Sequence, residues 1–176
     1  MKILKKILTV LIILVALPLL LALFVKKDYQ VQRAITINRP SSEVYNYVKL
    51  LKNQDHYSKW VRMDPAMKKD FRGTDGTVGF VYAWEGNKDA GKGEQEIIAL
   101  EEDKLVDVEV RFVEPFAGVA QAPIGLEALS PAQTRVTWGM EGSSDYPMNI
   151  MNLFIDNMLG RDIDSSLLML KELLEK

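Results

Sequence analysis

An uncharged apolar run near the N-terminus constrains this chain more than any other feature. It extends from Ile7 to Val25 and is interrupted only by Thr9 and Pro18. At about 1.5 Å of rise per residue, a helix of this length covers about 28 Å, close to the roughly 30 Å hydrocarbon core of a bilayer. Lysines flank the run on both sides, at Lys2, Lys5, Lys6, Lys26 and Lys27. The sequence therefore predicts a transmembrane anchor over residues 1–27, followed by one domain over residues 28–176.

A cleaved signal peptide is the alternative interpretation of the same run. Signal peptides have apolar cores of about 7–15 residues followed by a small-x-small cleavage site. The run here is longer, and Leu20 stands two positions before Ala22, where such a site needs a small residue. These features favour an uncleaved anchor. More lysines precede the run than follow it, so the positive-inside bias predicts a cytoplasmic N-terminus and a domain outside the cytoplasm.

Composition limits the partners of the domain. The chain has 22 basic and 24 acidic residues, one histidine and no cysteine. Because lysines beside the apolar run account for part of the basic residues, the domain is more acidic than the whole chain. Such a domain, without an Arg or Lys cluster, is a poor nucleic-acid binder. The cysteine and histidine counts exclude disulfides and His-rich or Cys-ligated metal sites, so we expect no metal and no cofactor. The oligomeric state stays open.

The hydrophobic periodicity predicts an α+β domain. Tyr29–Ile37 alternates as a half-buried strand does, and Pro40 with Glu43 is typical of a helix start. Six hairpin-linked strands are predicted between Met67 and Gly142, with residues 119–129 as one of them. After Pro147 the apolar period becomes 3.6, which predicts a long C-terminal helix that Gly160 could bend. Helices segregated from a run of consecutive strands indicate α+β architecture.

Several segments resemble the START-like superfamily, also called the polyketide cyclase/dehydrase and lipid transport superfamily. They are the stretch from Ile35 to Pro40 followed by Glu43-Val44-Tyr45, then Trp60, Gly91-Lys92-Gly93, and Thr134 to Trp138. The resemblance spans roughly residues 29–175 and implies a helix-grip fold. In that fold a curved antiparallel sheet of about seven strands wraps the C-terminal helix and leaves a cavity for hydrophobic or amphipathic ligands. Some members are cyclases or hydratases, and none of the matching segments is catalytic.

Aromatic and methionine side chains are the candidates for the wall of such a cavity, because ligand pockets are mostly apolar and thioether chains adapt to varied ligands. They could equally fill an ordinary core. The candidates are Tyr57, Trp60, Phe80, Tyr82, Trp84, Val108, Val110, Phe112, Trp138, Met140, Met151, Ile155 and Met158.

Three functions are compatible with this sequence. The favoured one is membrane-anchored binding of a hydrophobic or amphipathic, lipid-like small molecule without turnover. Another is a cyclase- or hydratase-type enzyme with His56, a weak catalytic candidate, or a cavity tyrosine as proton donor. The third is an envelope interaction module with a fully packed core. The tether Lys26-Lys27-Asp28 is short, at about 3.5 Å per extended residue, so we expect the ligand to come from or go to the membrane.

Overall fold

The first helix, α1, comprises Lys2–Ala22 in the computed structural model, which describes residues 2–176. Its mean hydropathy is 2.5 over an 18-residue window, and none of that window is buried against the rest of the protein. Pro18 lies within the helix without ending it. Among the described residues, this is the one helix long and apolar enough to cross a bilayer.

The domain begins with a strand and a group of short helices, as the sequence predicts. The predicted helix start after Asn38 is confirmed, because α2 begins at Ser41. These elements are β1 (Asp28–Ile37), α2 (Ser41–Val48), a 3₁₀ turn (Leu51–Asn53), α3 (Gln54–Tyr57) and α4 (Lys59–Arg62).

An antiparallel sheet of eight strands follows, and then a long helix. The strands pair in the order β1-β8-β6-β5-β4-β3-β2, while β7 pairs with β5 and β8. Their bounds are β2 (Lys68–Arg72), β3 (Val81–Glu85), β4 (Lys92–Glu101), β5 (Leu105–Glu114), β6 (Gly118–Gln121), β7 (Ile124–Ser130) and β8 (Gln133–Ser143). A second 3₁₀ turn (Met148–Met151) leads into α5 (Asn152–Leu174). The predicted α+β helix-grip architecture is confirmed.

The prediction of one strand over residues 119–129 is wrong in one respect. The segment forms β6 and β7, which keep one register against β8, with Gln121 opposite Glu141 and Ile124 opposite Trp138. Between them stands Pro123, which has no N–H to donate to a ladder. The Pro123 carbonyl still accepts a hydrogen bond from the Gly139 N–H, at 2.9 Å. The interruption raises the strand number from about seven to eight.

The core lies between the inner face of the sheet and α5. Alternate residues of β5 and β8 point inward, and Val108, Val136 and Trp138 are at most 4% exposed. On α5, Ile163 and Leu167 are at most 1% exposed. The periodicity of the sequence predicts these residues because side chains two apart on a strand, or three to four apart on a helix, share a face.

α5 runs unbroken through Gly160, so this glycine does not end the helix. The glycine instead leaves room for the Arg33 guanidinium, which any Cβ at this position would meet. Arg33 Nη1 and Nη2 each donate to a carboxylate oxygen of Asp156, at 3.0 Å. Arg33 Nε lies 3.3 Å from Asp164 Oδ2. This bidentate contact ties β1 to α5.

One end of the sheet lies beside the C-terminal end of α1, and we call it the anchor end. There β1 begins opposite the end of β8, with Asp28 paired to Ser143. Two hairpins lie at the same end, one joining β3 to β4 and the other joining β5 to β6. Their strand ends are neighbours in the sheet, since Glu85 pairs with Lys92 and Lys92 with Glu114. α5 also begins there, where Ser144 Oγ and Asn152 Oδ1 are 3.0 Å apart.

Candidate ligand-binding cavity

A cavity of about 150 Å³ lies between the inner face of the sheet, α3 and α4, and one residue of α5. Its wall is mostly apolar and aromatic, and it includes all three tryptophans of the chain. The lining residues are Gln54, Ser58, Trp60, Val61, Met67, Tyr82, Trp84, Ala90, Gln95, Val108, Val110, Phe112, Ala122, Trp138, Met140 and Leu159.

Strand alternation positions most of this wall. Val108, Val110 and Phe112 occupy successive inward positions of β5, and Trp138 and Met140 do the same on β8. Tryptophan rings then meet across the cavity: Trp60 packs edge-on against Trp138 with ring centroids 5.7 Å apart. Edge-to-face pairs of this kind are a favourable aromatic geometry.

A pair of buried glutamines provides the main polar contact of the wall. Gln54 and Gln95 are 5% and 8% exposed, and Gln95 Nε2 donates to Gln54 Oε1 at 2.9 Å. That bond uses one amide atom of each residue. Gln54 Nε2 and Gln95 Oε1 lie outside it and are a donor and an acceptor that these side chains can offer to a ligand. The Ser58 hydroxyl adds a third polar group to the same wall.

The hydroxyl of Tyr82, another residue of the wall, is hydrogen-bonded to a neighbouring carboxylate. Its oxygen donates to Asp55 Oδ1 at 2.8 Å, and Lys69 Nζ donates to the other carboxylate oxygen at 2.7 Å. Burial, with the hydrogen bond to Asp55, raises the pKa of Tyr82 far above its ordinary value of 10.0. The phenol therefore stays protonated at neutral pH, and its proton is already shared with a carboxylate.

Two buried polar atoms beside the cavity have no hydrogen-bond partner within residues 2–176: Trp138 Nε1 and the Tyr57 hydroxyl. The two rings touch edge-on, with centroids 5.9 Å apart. Burial raises the pKa of Tyr57 above its ordinary value of 10.0, so this hydroxyl is neutral. Buried polar groups without a partner destabilise the folded protein. A conformation of the cavity wall that gave them hydrogen bonds would therefore be more stable.

The structure brings most of the predicted wall residues together, namely Trp60, Tyr82, Trp84, Val108, Val110, Phe112, Trp138 and Met140. The other candidates lie elsewhere. Tyr57 and Phe80 are buried in the core next to the cavity. Met151 and Met158 are 43% and 57% exposed, and Ile155 is half-buried on the same helix. Met151 precedes α5 and Met158 lies on its exposed side, whereas Ile155 packs against the core outside the cavity wall. Helical periodicity alone does not indicate which half of a helix is covered.

His56 lies outside the cavity wall, on the exposed side of α3. Its Nδ1 is 3.0 Å from the Tyr47 hydroxyl, and the two form a hydrogen bond. This bond does not connect His56 to the cavity, because Tyr47 is not one of the lining residues. Its position supports the interpretation of His56 as a surface residue.

Sequence reasoning missed several wall residues, and one of them carried a detectable signal. Gln95 stands between Gly93 and Ile97 on the inward side of β4, so it is a polar residue at a core position of a predicted strand. Gln54 lies in a short helix whose period is too brief to assign a face, and Ser58 lies between α3 and α4. Ala122 and Leu159 carry no signal beyond their apolar character.

The mouth of the cavity is marked by lining residues that remain partly exposed. Trp84 ends β3, Ala90 lies in the following hairpin, and Phe112 ends β5. Leu159 lies in the first third of α5, and it is half-buried as well. These four residues lie toward the anchor end, whereas the fully buried Val108 and Gln54 form the inner part of the wall. Trp60 and Val61 of α4 line the cavity and are partly exposed as well, so the mouth extends from α4 to the end of the domain that carries α1.

No family model matches the chain, and no curated protein matches its sequence. Solved structures with a similar fold do exist. The Zhui aromatase/cyclase from Streptomyces sp. R1128 has a TM-score of 0.63 and 10% identity, covering 84% of this chain and 94% of that one.

Two further structures extend this similarity. Norcoclaurine synthase from Thalictrum flavum, in complex with dopamine and hydroxybenzaldehyde, has a TM-score of 0.63 and 11% identity, covering 86% of this chain and 90% of that one. The Aha1 dimer from Colwellia psychrerythraea has a TM-score of 0.56 and 18% identity, covering 84% and 96%. Identities this low show a shared fold and no more.

Proposed function

We propose that this protein binds a hydrophobic or amphipathic small molecule in its cavity while α1 anchors it in a membrane. The observation that carries the proposal is the cavity itself: an apolar, aromatic space with a few buried polar groups is the usual form of a ligand pocket. A fully packed interaction module needs no such space. The Gln54–Gln95 pair supplies a fixed polar contact, which favours an amphipathic ligand over a pure hydrocarbon.

The cavity volume limits the buried part of the ligand. An apolar cavity of about 150 Å³ holds a molecule the size of benzene, whereas drug-sized ligands need about 300–1,000 Å³. This cavity has about 150 Å³. The ligand therefore places one ring or a short branched group inside, and any longer part leaves through the mouth. The aromatic compounds bound by norcoclaurine synthase, a protein with a similar fold, support a ligand of this kind.

Binding without turnover fits the chemistry of the wall. Acid–base catalysis needs a positioned group whose pKa lies near the working pH. The lining side chains are amides, a hydroxyl, thioethers, and aromatic and aliphatic groups, and the Tyr82 hydroxyl already donates its proton in a hydrogen bond to Asp55. These groups support binding over a cyclase reaction as the function of this cavity.

The membrane anchor is the second part of the proposal. The apolar side chains of α1 remain exposed, and Leu14, Val15 and Leu20 are each more than half exposed. Such a surface needs an apolar environment, which a bilayer provides. With the larger number of lysines before α1, the domain lies outside the cytoplasm.

Intrinsic fluorescence tests the binding proposal, because every tryptophan of the chain lines the cavity. Bromobenzene, a ring-sized heavy-atom quencher, would be titrated into the full chain in detergent micelles. We expect saturable quenching. Ala122→Leu, which adds bulk to the wall, should abolish the saturable phase, while the matched control Ala128→Leu, on an exposed position of β7, should keep it. Quenching that rises linearly in all three proteins would contradict the proposal.

A further inference from the structure

Exposed apolar side chains surround the mouth of the cavity at the anchor end. Phe116, at the tip of the hairpin between β5 and β6, is 63% exposed. Met151, the last residue of the second 3₁₀ turn, is followed on α5 by Phe154 and Met158 at spacings of three and four residues, and the three side chains are 43%, 58% and 57% exposed. We call these four residues the apolar rim. Large side chains clustered on a surface mark an interaction site more often than scattered ones do.

The apolar rim is held at the point where α1 leaves the domain. Asn149 Nδ2 donates to the carbonyl oxygens of Ala22 and Val25, at 2.7 and 2.8 Å. Asn152 Nδ2 donates to the Lys27 carbonyl oxygen at 2.7 Å. Asn149 is 2% exposed, so the first bond is made in a buried environment. The start of α5 therefore has a fixed position relative to the end of α1.

That attachment determines what covers the rim. If α1 spans a bilayer, Ala22 lies near the edge of the hydrocarbon core and Lys26 and Lys27 lie among the headgroups. Phe154 follows Asn149 by about one and a half helical turns, or roughly 8 Å along the axis. The headgroup layer on each side of the core is itself about 5–8 Å thick. Met151 and Phe154 thus lie within the depth of the headgroup layer, and Met158 lies about 6 Å farther along α5.

We propose that the apolar rim lies in the bilayer that holds α1, so that the cavity opens onto lipid and not onto water. The occupant of this surface is the lipid bilayer itself. The ligand class follows: a molecule that is dissolved in the membrane, whose ring-sized end enters the cavity directly from it. This inference rests on the proposed function, and it adds a second membrane contact and a route of entry.

Nitroxide labels on single cysteines test the inference in the full chain, which has no native cysteine. The variants are Phe116→Cys, Phe154→Cys and Met158→Cys in the rim, Leu14→Cys within α1, and Ala128→Cys at the opposite end of the sheet. In phosphatidylcholine vesicles, accessibility to oxygen and to a water-soluble nickel chelate would be measured. We expect the chelate to reach the labels at 116 and 154 severalfold less than the label at 128, with 158 between them.

The possible outcomes distinguish the contact of the apolar rim with lipid from the proposal that α1 spans the membrane. In one outcome, the chelate reaches the labels at 116 and 154 as easily as the label at 128, while lipid protects the label at 14. This result would overturn the contact of the apolar rim with lipid but would not affect the proposal that α1 spans the membrane. A label at 14 that the chelate reaches would overturn the anchor and the rim contact together. Protection at 154 with spin–spin broadening that disappears on dilution with unlabelled protein would identify a second copy as the occupant and overturn the lipid assignment.

The opening of the cavity onto lipid has its own measurement. Vesicles of phosphatidylcholine brominated near the carbonyl end of its acyl chains quench only fluorophores close to that depth. We expect them to quench the tryptophans, with Trp84 at the mouth, more strongly than vesicles of the unbrominated lipid. Equal fluorescence in both vesicles would overturn the proposed opening.

Discussion

Gln54 and Gln95 illustrate how single residues shape this site. They are polar side chains inside an apolar wall, and each satisfies part of the other's hydrogen-bonding capacity. The inward alternation of β4 makes Gln95 recognisable from the sequence. Gln54 is not recognisable in the same way, since α3 has only four residues and offers no periodicity. The hydrophobic pattern of the sequence predicts the direction of a side chain where the helix or strand is long. It fails where tertiary packing alone determines that direction.

Removing one glutamine should cost more than removing both. Gln95→Leu leaves Gln54 Oε1 without its donor, so we expect the free energy of unfolding to fall by about 1–3 kcal/mol. The double variant Gln54→Leu, Gln95→Leu should recover much of that loss, because no unpartnered amide remains. Urea unfolding of the full chain in micelles measures both. Gln121→Leu, on an exposed position of β6, is the control. A double variant less stable than Gln95→Leu would contradict this account.

Gly91 is required at the turn before β4. Its φ is +67°, and a Cβ there would meet the Glu114 carbonyl oxygen. The left-handed conformation alone costs a non-glycine residue about 1–2 kcal/mol, and the collision adds to it. We expect Gly91→Ala to lower the unfolding midpoint clearly. Gly118→Ala is the matched control, because no atom lies within 4 Å of a Cβ at that position. Equal midpoints for the two variants would refute the requirement.

At the scale of elements, hydrophobic period was the most informative part of the sequence. It predicts β1, β5, β8 and α5, since each is long enough to repeat its pattern several times. It does not predict the break at Pro123, which depends on a missing N–H between two neighbouring strands. It also assigns Met151 and Met158 to the cavity wall, although both side chains are exposed. An apolar stripe indicates that something covers a helix, and it does not indicate what.

Charges on the outer face of β4 and β5 form a network around one arginine. Arg111 bonds Glu94, Glu96 and Glu109, at 2.9, 2.6 and 2.6 Å, and Arg72 also contacts Glu94. Burial tends to raise the pKa of Glu94, but the hydrogen bonds from Arg111 and Arg72 outweigh it and lower that pKa below its ordinary value of 4.5. The network explains why carboxylates at strand spacing lie together here without being a catalytic pair.

This network predicts how stability depends on pH. Because the pKa of Glu94 is lower in the folded state, its contribution to stability is present above pH 4.5 and is lost as the pH falls through the folded pKa. We therefore expect acid to lower the unfolding midpoint of the native chain more than that of Arg111→Gln, which lacks the pairing cation. The variant should also be less stable at pH 7, where its carboxylates repel one another. Identical acid profiles would argue against the network.

At the scale of the whole molecule, α1 lies at the same end of the domain as part of the cavity mouth. The sequence predicts the anchor from composition alone and the helix-grip fold from the order of elements and its family resemblance. The relation between them could not be predicted, because it depends on contacts more than a hundred residues apart in sequence, such as those of Asn149 with Ala22 and Val25. Loss of these contacts should loosen the junction without unfolding the domain.

A spin label at Phe24→Cys measures that junction. In the background of Asn149→Ala, the Ala22 and Val25 carbonyls lose their common donor, so we expect a more mobile label and a sharper spectrum. The unfolding midpoint of the domain should change by less than that of Gly91→Ala. Asn157→Ala, at an exposed position of α5, should leave the spectrum unchanged. An unchanged spectrum for Asn149→Ala would show that other contacts hold α1 in place.

The lysines that flank the apolar run predict the orientation of the chain in the membrane. Alkaline phosphatase, which is active only outside the bacterial cytoplasm, would be fused after Lys176 and expressed in a bacterial host. We expect activity, because the larger number of lysines precedes α1. Replacing Lys2, Lys5 and Lys6 with glutamine should reduce it. An inactive fusion that is present in the membrane fraction would place the domain in the cytoplasm.

Native mass spectrometry of the full chain in lipid nanodiscs tests the central claim, that the cavity holds a small amphipathic molecule, most directly. The account predicts a bound adduct that survives gentle release from the nanodisc, is absent from Ala122→Leu and is retained by Ala128→Leu. An adduct present equally in both variants, or a chain that remains empty in native membranes extracted under mild conditions, would contradict it.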